Sequence, residues 1–215
     1  MSPHPLRVLL DDAAVGRFPP ADGLVEVVPS PGGRADALVG FTGHFVLAAD
    51  IDPEEFAARV PSGDLSVPMS PATLVWLEAR LGSTSTTLDA LLCATGTGAG
   101  APAWLHEVDD RDHARIEEAA RYRRDMRVFV ADDDAAVLVL GRGVCDRWDF
   151  GFEVMPGARG RGLGRRVARA VRDLVPTGEP VFAQVVPGNV ASLKAVAAAG
   201  FVPIAAEVLF PRSPA

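Results

Sequence analysis

The chain has 215 residues, 48% of them hydrophobic and 23% charged, with a formal net charge of -7. That composition excludes a disordered chain and gives material for one large domain or two small ones with ordinary cores. Its 18 prolines and 21 glycines fall mostly between apolar runs, which excludes a helical bundle and points to mixed α and β structure. There is no run of about eighteen apolar residues and no apolar leader with a small-residue cleavage site, so a cytoplasmic protein is expected. Cys93 and Cys145 are the only cysteines and form no CxxC, which disfavours a disulfide framework or structural zinc.

In chain order, residues 24–28 (LVEVV) and 37–49 (ALVGFTGHFVLAA) read as strands from their β-branched and aromatic content. His44, inside the second run, reads as a satisfied strand histidine. Asp52 is placed as an N-cap, with Pro53 at the first helical position and Glu55 three residues on, which predicts a helix over 53–60. Ser70 and Pro71 repeat the signal, and Gly82 stops the helix ATLVWLEARL. Residues 94–103, ATGTGAGAPA, are small and Gly-rich and mark the best boundary in the sequence, between an N-terminal α/β region, 1–100, and a second part, 101–215.

Beyond that boundary AWLHEV reads as a strand, residues from about Asp110 to Arg124 as a charged amphipathic helix, and RVFVA and AAVLVLGRG as two strands. Asp132, Asp133 and Asp134 between them read as solvated turn residues, without the later glutamate of a calcium loop. The stretch RWDFGFEVM alternates strictly: Trp148, Phe150, Phe152 and Val154 share one face, and Asp149, Gly151 and Glu153 the other. A helix over 162–175, the strand PVFAQVV, a helix capped by Asn189 and ended at Gly200, and a strand near AEVLF complete the pattern.

The densest chemical signal lies between the alternating strand and the helix after it. Residues 154–172 carry Arg159, Arg161, Arg165, Arg166, Arg169 and Arg172 and no acid, on a chain whose net charge is -7. This is a local anion site rather than a general nucleic-acid surface, which would need broader basic area and stacking aromatics. Free N–H groups at a helix start, the positive end of its dipole and close-approach glycines favour phosphate. Each charge-assisted arginine bond adds about 1.5–3 kcal/mol. The glycines at 160, 162 and 164 do not spell a dinucleotide fingerprint, and Leu163 and Gly164 stand where a P-loop needs Lys and Ser or Thr.

Val154-Met155-Pro156 followed by Arg159-Gly160-Arg161-Gly162-Leu163-Gly164 resembles the acetyl-CoA pyrophosphate loop of the GCN5-related N-acetyltransferases (GNAT). Asn189-Val190-Ala191-Ser192, with Gly200-Phe201 at the end of its helix, resembles the family's later signature, and the two occur in family order. The resemblance covers about residues 103–210. It implies an α/β (α+β) acyl-CoA acyltransferase fold with a central mixed, mostly antiparallel sheet. In that sheet the strand ending at Val154 splays from the strand over 181–186, and pantetheine enters the gap. It further implies that the Val154 N–H faces the thioester carbonyl, that the backbone and side chains of Arg159, Gly160, Arg161, Gly162, Leu163, Gly164 and Arg165 hold the pyrophosphate, and that Asn189 helps seat the co-substrate.

Direct transfer of an acetyl group from acetyl-CoA to a primary amine needs a base for the attacking ammonium and an acid for the departing thiolate. Glu153 is the leading base, on the non-aromatic face beside Val154, with Asp149 sharing that face; pairing with an arginine of the neighbouring loop is the structural alternative for either. The family's usual acid is a tyrosine, and at the matching position this chain has Val196. In its place the thiolate takes its proton from Ser192, from water or from no specific group, and Ser192 alternatively is a helix-start residue bonding backbone. Tyr122, the one tyrosine, is an acceptor-site candidate. The expectation is an N-acetyltransferase acting on a small-molecule or protein amine, with no metal, nucleic acid or membrane partner, and compatible with a homodimer. Its acidic remainder leans to a cationic acceptor. The alternative is a catalytically degenerate acyl-CoA-binding module with a regulatory or interaction role.

Overall fold

The computed structural model describes residues 2–61, 63–109 and 112–212. The N-terminal half holds α1 (Pro5–Ala14), β1 (Val25–Val28), β2 (Ala35–Phe41), β3 (His44–Ala48), α2 (Pro53–Arg59), α3 (Pro71–Leu81) and β4 (Asp89–Thr95). After it come β5 (Leu105–Val108), α4 (Ala114–Ala120), β6 (Arg124–Ala131), β7 (Ala136–Arg142) and β8 (Trp148–Val154). The chain continues through α5 (Leu163–Leu174), β9 (Pro180–Val185), α6 (Val190–Ala198) and β10 (Val202–Pro211). None of the described helices is long and apolar enough to cross a membrane.

Local chemistry sets most of these boundaries. Asp52 caps α2 by accepting from the Glu54 and Glu55 N–H groups, and Ser70 caps α3 through the Thr73 N–H. Gly82 ends α3 in the left-handed conformation at φ 61°, where a side chain would be strained. The helix expected from about Asp110 is shorter, beginning after His113, whose ring accepts from the Arg115 N–H; Asp110 itself lies outside the described residues. Two elements are additional to the sequence reading: α1, capped by His4, and β4. His44 is buried in β3 against Asp22, at 3.0 Å.

The described strands form one ten-stranded sheet in the order β1-β3-β2-β10-β4-β9-β8-β7-β6-β5. Only β1 with β3 and β8 with β9 run parallel. The two halves of the sequence interlock at the centre. β10 pairs with β2 on one side and β4 on the other, and β4 pairs with β9, from Ala90 opposite Val185 to Thr95 opposite Pro180. Strands from 1–100 and from 101–215 thus share one sheet.

Residues 94–103 connect β4 to β5 within this sheet, and they are pinned. The N–H groups of Thr97, Gly98 and Gly100 donate to the carbonyls of Arg172, Val175 and Asp173, satisfying the end of α5. At Gly96 an added Cβ would stand 2.5 Å from the Pro176 carbonyl oxygen and 2.7 Å from that of Val175. Gly96 and Gly98 serve close approach here rather than flexibility.

Alternation along the strands sorts the helices onto two faces. Leu92 and Ala94 of β4 pack with α5 and α6, and Val208 and Phe210 of β10 with α2 and α3, on one face. Leu91 and Cys93 turn to the other face with α1, where α4 covers Val137 and Val139. Arg147 is fully buried on the same face as Asp149 and Glu207. It donates to both carboxylates, at 3.0 Å to Asp149 and 2.6 Å to Glu207, and so ties β8 to β10 across two intervening strands.

Candidate active site

β8 and β9 pair only from Trp148 opposite Val181 to Phe150 opposite Ala183. Beyond that point β8 stays bonded to β7 as far as Val154 opposite Ala136, while its other edge is left open toward β9. The parallel strands therefore part like a fork. Because the Met155 N–H bonds to Ala135 on the β7 side, the alternation of a strand turns the Val154 and Phe152 N–H groups toward the opening. Arg123 closes the crotch of the fork. Its guanidinium donates to the Phe150 carbonyl at 3.2 Å and to Gln184 Oε1 at 3.5 Å.

A cavity of about 600 Å³ passes through this opening, with walls on both faces of the sheet. On the α5 and α6 face it is lined by Phe152, Val185, Asn189, Ser192 and Val196. On the α4 face it meets Asp89, Gln184, Arg115, Glu118, Tyr122 and Arg123. The gap is thus lined from both faces of one sheet.

The arginine-glycine loop lies at the mouth of the fork. Gly160 and Gly162 take left-handed backbone at φ 75° and 80°, and nothing lies within 4 Å of where their Cβ atoms would be. Gly162 serves as N-cap of α5 without any side-chain capping bond, and the first bond back to it comes from Arg166. The N–H groups of Leu163, Gly164 and Arg165 thus have no intrahelical acceptor. Gly164 lets the helix start press against the fork: a Cβ there would sit 3.4 Å from the Phe152 ring and 3.5 Å from Ala195 of α6. This donor set, with exposed Arg161 and Arg165 beside it, fits a diphosphate.

Three arginines of the same run do other work. Arg166 stacks on Trp104 at 4.4 Å, and Arg172 donates to the carbonyls of Thr95 and Ala199. Arg159 donates from Nε to the Val154 carbonyl and lies 3.7 Å from Glu153. That places Glu153 in the loose ion pair foreseen as its structural alternative, at the rim and outside the cavity lining. Asp149 is 1% exposed, takes both its contacts from Arg147 Nε and is outside the cavity lining.

Asn189 accepts from the Ser192 N–H at 3.1 Å, capping α6, a contact of the sort that contributes about 1 kcal/mol. The structure brings Asn189 and Ser192 into the cavity wall and sets Val196 there too, 1% exposed. Tyr122 lines the opposite wall, its phenol pushed above its ordinary pKa by burial. Among the residues of this site that sequence reading passed over are Asp89, Arg115 and Arg123. Burial, with repulsion from Glu207 and Glu118, pushes the Asp89 carboxyl up to about 6, against a smaller opposing hydrogen bond from Thr87. The local signal for Asp89 was slight, a lone acid opening an apolar run after a threonine-rich stretch.

The chain is similar to GNAT acetyltransferases of known structure. One is a GCN5-related N-acetyltransferase from Kribbella flavida, at 17% identity and TM-score 0.40 over 67% of this chain and 65% of that one. A GNAT-family acetyltransferase from Colwellia psychrerythraea matches at 15% and 0.39, over 66% and 63%. A putative GNAT acetyltransferase from Novosphingobium aromaticivorans matches at 16% and 0.42, over 67% and 82%. The chain spans less than two thirds of the length of the first two. No protein-family model and no curated protein matches the sequence.

Proposed function

We propose that the chain is an acyl-CoA-dependent N-acyltransferase of the GNAT type that acetylates a primary amine. The observation that carries this reading is the uncapped start of α5, with its two left-handed glycines and free arginines, set against the mouth of a fork between parallel strands. Acetyl-CoA would supply an activated thioester. The residues that would hold it are Arg161 and Arg165 with the N–H groups of 163–165 at the diphosphate, and the open edge of β8 along pantetheine. The Val154 N–H is aimed at the opening, where a developing oxyanion would need a donor.

The reading is tested by calorimetry and thermal melting. CoA and acetyl-CoA are expected to bind and raise Tm, while NAD and ATP leave it nearly unchanged. Stabilisation of about 2.7 kcal/mol is expected at ligand a hundredfold above Kd. Absence of CoA binding at millimolar ligand overturns it.

For the base, Asp89 has the position and the pKa: it lines the cavity on the acceptor side and titrates near 6. A base must be ionised to accept a proton, so kcat/KM should rise with pH through about 6 and fall below it. Asp89→Asn should lower turnover about a hundredfold and erase that limb of the profile, with CoA affinity unchanged. A second reading keeps Glu153, favoured by its place next to Val154; it requires Glu153→Gln to be the damaging variant and Asp89→Asn to be mild. The acyl-CoA-binding module without turnover is favoured by Val196 in the cavity wall where the family has its acid, and it requires that no amine in a broad panel be acetylated.

A further inference from the structure

The α4 side of the cavity runs against the character of the chain. On a protein of net charge -7, the charged groups lining this cavity are three arginines, Arg115, Arg121 and Arg123, against two carboxylates, Asp89 and Glu118. Arg115 spends one nitrogen on Glu118, at 2.8 Å. Arg121 is exposed, and neither it nor Arg123 has a carboxylate within 4.0 Å among the described residues.

Two of these guanidinium groups are incompletely satisfied. Arg115 Nε and Arg123 Nε are buried without a hydrogen-bond partner, and Arg123 as a whole is 5% exposed. Both arginines lean on the same spot of β8: from the position of an added Gly151 Cβ, Arg123 Nη1 stands at 3.5 Å and Arg115 Cδ at 3.7 Å. Gly151 is therefore the bare point of the strand over which two arginine side chains converge, one by its guanidinium and one by its stem, one residue beyond the last pairing of β8 with β9. The direct hydrogen-bond partners of Arg123 are neutral, the Phe150 carbonyl and the Gln184 amide, and the buried Asp149 carboxylate acts on it through space without bonding to it. Leaving a buried guanidinium N–H without an acceptor is costly.

Resting on the acyltransferase reading of the same cavity, we propose that the acceptor is an amine that also carries a carboxylate, an amino acid. Its carboxylate is taken by Arg123 and Arg115 over Gly151, and its amine faces Asp89 on the same side of the sheet. The sequence expectation of a cationic acceptor is replaced by a zwitterionic one, because the acids that give the chain its net charge are outnumbered at this cavity. In the transfer step the amine nitrogen forms a bond to the acetyl carbon and the carbon–sulfur bond breaks. The ammonium gives one proton to Asp89 before attack, and after attack the nitrogen's second proton goes to the departing thiolate, so CoA leaves as the thiol.

The test uses the full chain and a set of common amino acids, each paired with its α-carboxamide. Thermal shift without CoA reads the anion site by itself: the free acids are expected to stabilise the protein and the amides to do so much less. Transfer from acetyl-CoA, read by release of free thiol, should then show kcat/KM at least about tenfold higher for acid than for amide. Arg123→Gln should abolish the preference while CoA affinity is retained. Since Arg123 is buried, Arg115→Gln, at a more exposed site, gives a second variant expected to raise KM for the acids and leave the amides unmoved. Equal response to acid and amide in both assays, with CoA bound, overturns the proposal. Discrimination without any CoA binding overturns the acyltransferase reading instead and leaves the carboxylate site standing.

Discussion

A chain cut to residues 101–215 is expected to have no cooperative unfolding transition and no CoA binding, although it contains the whole arginine-glycine loop. β4 is the reason. It lies between β9 and β10, bonded to both, and without it each of those strands faces a gap. Leu91, Leu92 and Cys93 are at most 3% exposed and reach into the cores on both faces. Burying a large apolar side chain contributes about 1.5–3 kcal/mol. Losing several of them with two hydrogen-bond ladders exceeds the roughly 5–15 kcal/mol that holds a domain together. Circular dichroism and thermal melting of the fragment check this. A soluble fragment with a sharp melt and CoA affinity like that of the full chain would show that β4 is dispensable and that the acyltransferase part stands alone.

The second large effect is expected at the anion site. Gly162→Asp should weaken CoA binding by about a hundredfold or more, because a carboxylate at the α5 N-cap occupies the donors and repels the diphosphate, and such like-charge contacts cost several kcal/mol. The fold should survive. Nothing lies within 4 Å of the added Cβ, and aspartate visits left-handed backbone at a cost of about 1–2 kcal/mol. Gly162→Asn has the same shape and the same backbone demand without the charge, so it should bind CoA far better than Gly162→Asp. Equal loss in both would assign the effect to backbone geometry, and no loss in either would remove diphosphate from the loop. Calorimetry with CoA, alongside a melting curve for each variant, separates these results.

What could be read from the sequence was what is decided locally. The caps at Asp52, Ser70 and Asn189 bond to N–H groups two or three residues away, and each formed as expected. The alternating aromatics of 148–154 reported one packed face, and the crowding of arginine with glycine marked the loop now proposed as an anion site. β4 was hidden because it is buried on both faces: Leu91, Leu92, Cys93 and Ala94 form an unbroken apolar run with no alternation to reveal a strand. Its partners lie about ninety residues or more further on, and the glycines after it looked like a linker because their contacts with the end of α5 are equally remote. Missing β4 meant missing Asp89, which reaches the cavity only because that strand is inserted there. Arg123 was not singled out for a similar reason. It is one charged residue at the end of a charged helix, with nothing local to single it out, and only the parting of β8 from β9 gives it a carbonyl to hold and a cavity to face.

The interlocking of β10 between β2 and β4 also bears on how the molecule is made. β2 and β4 leave the ribosome well before β10 exists, and at about 5–20 residues per second both edges stay unpaired for on the order of ten seconds. Both carry apolar side chains destined for burial, which are the conditions under which nascent strands find the wrong partner. Contacts this distant in sequence also slow the final search. Yield in a cell should therefore depend on holdase chaperones that shield those edges until β10 arrives. A ribosome stalled before residue 202 leaves a product with two adhesive edges and no means of covering them.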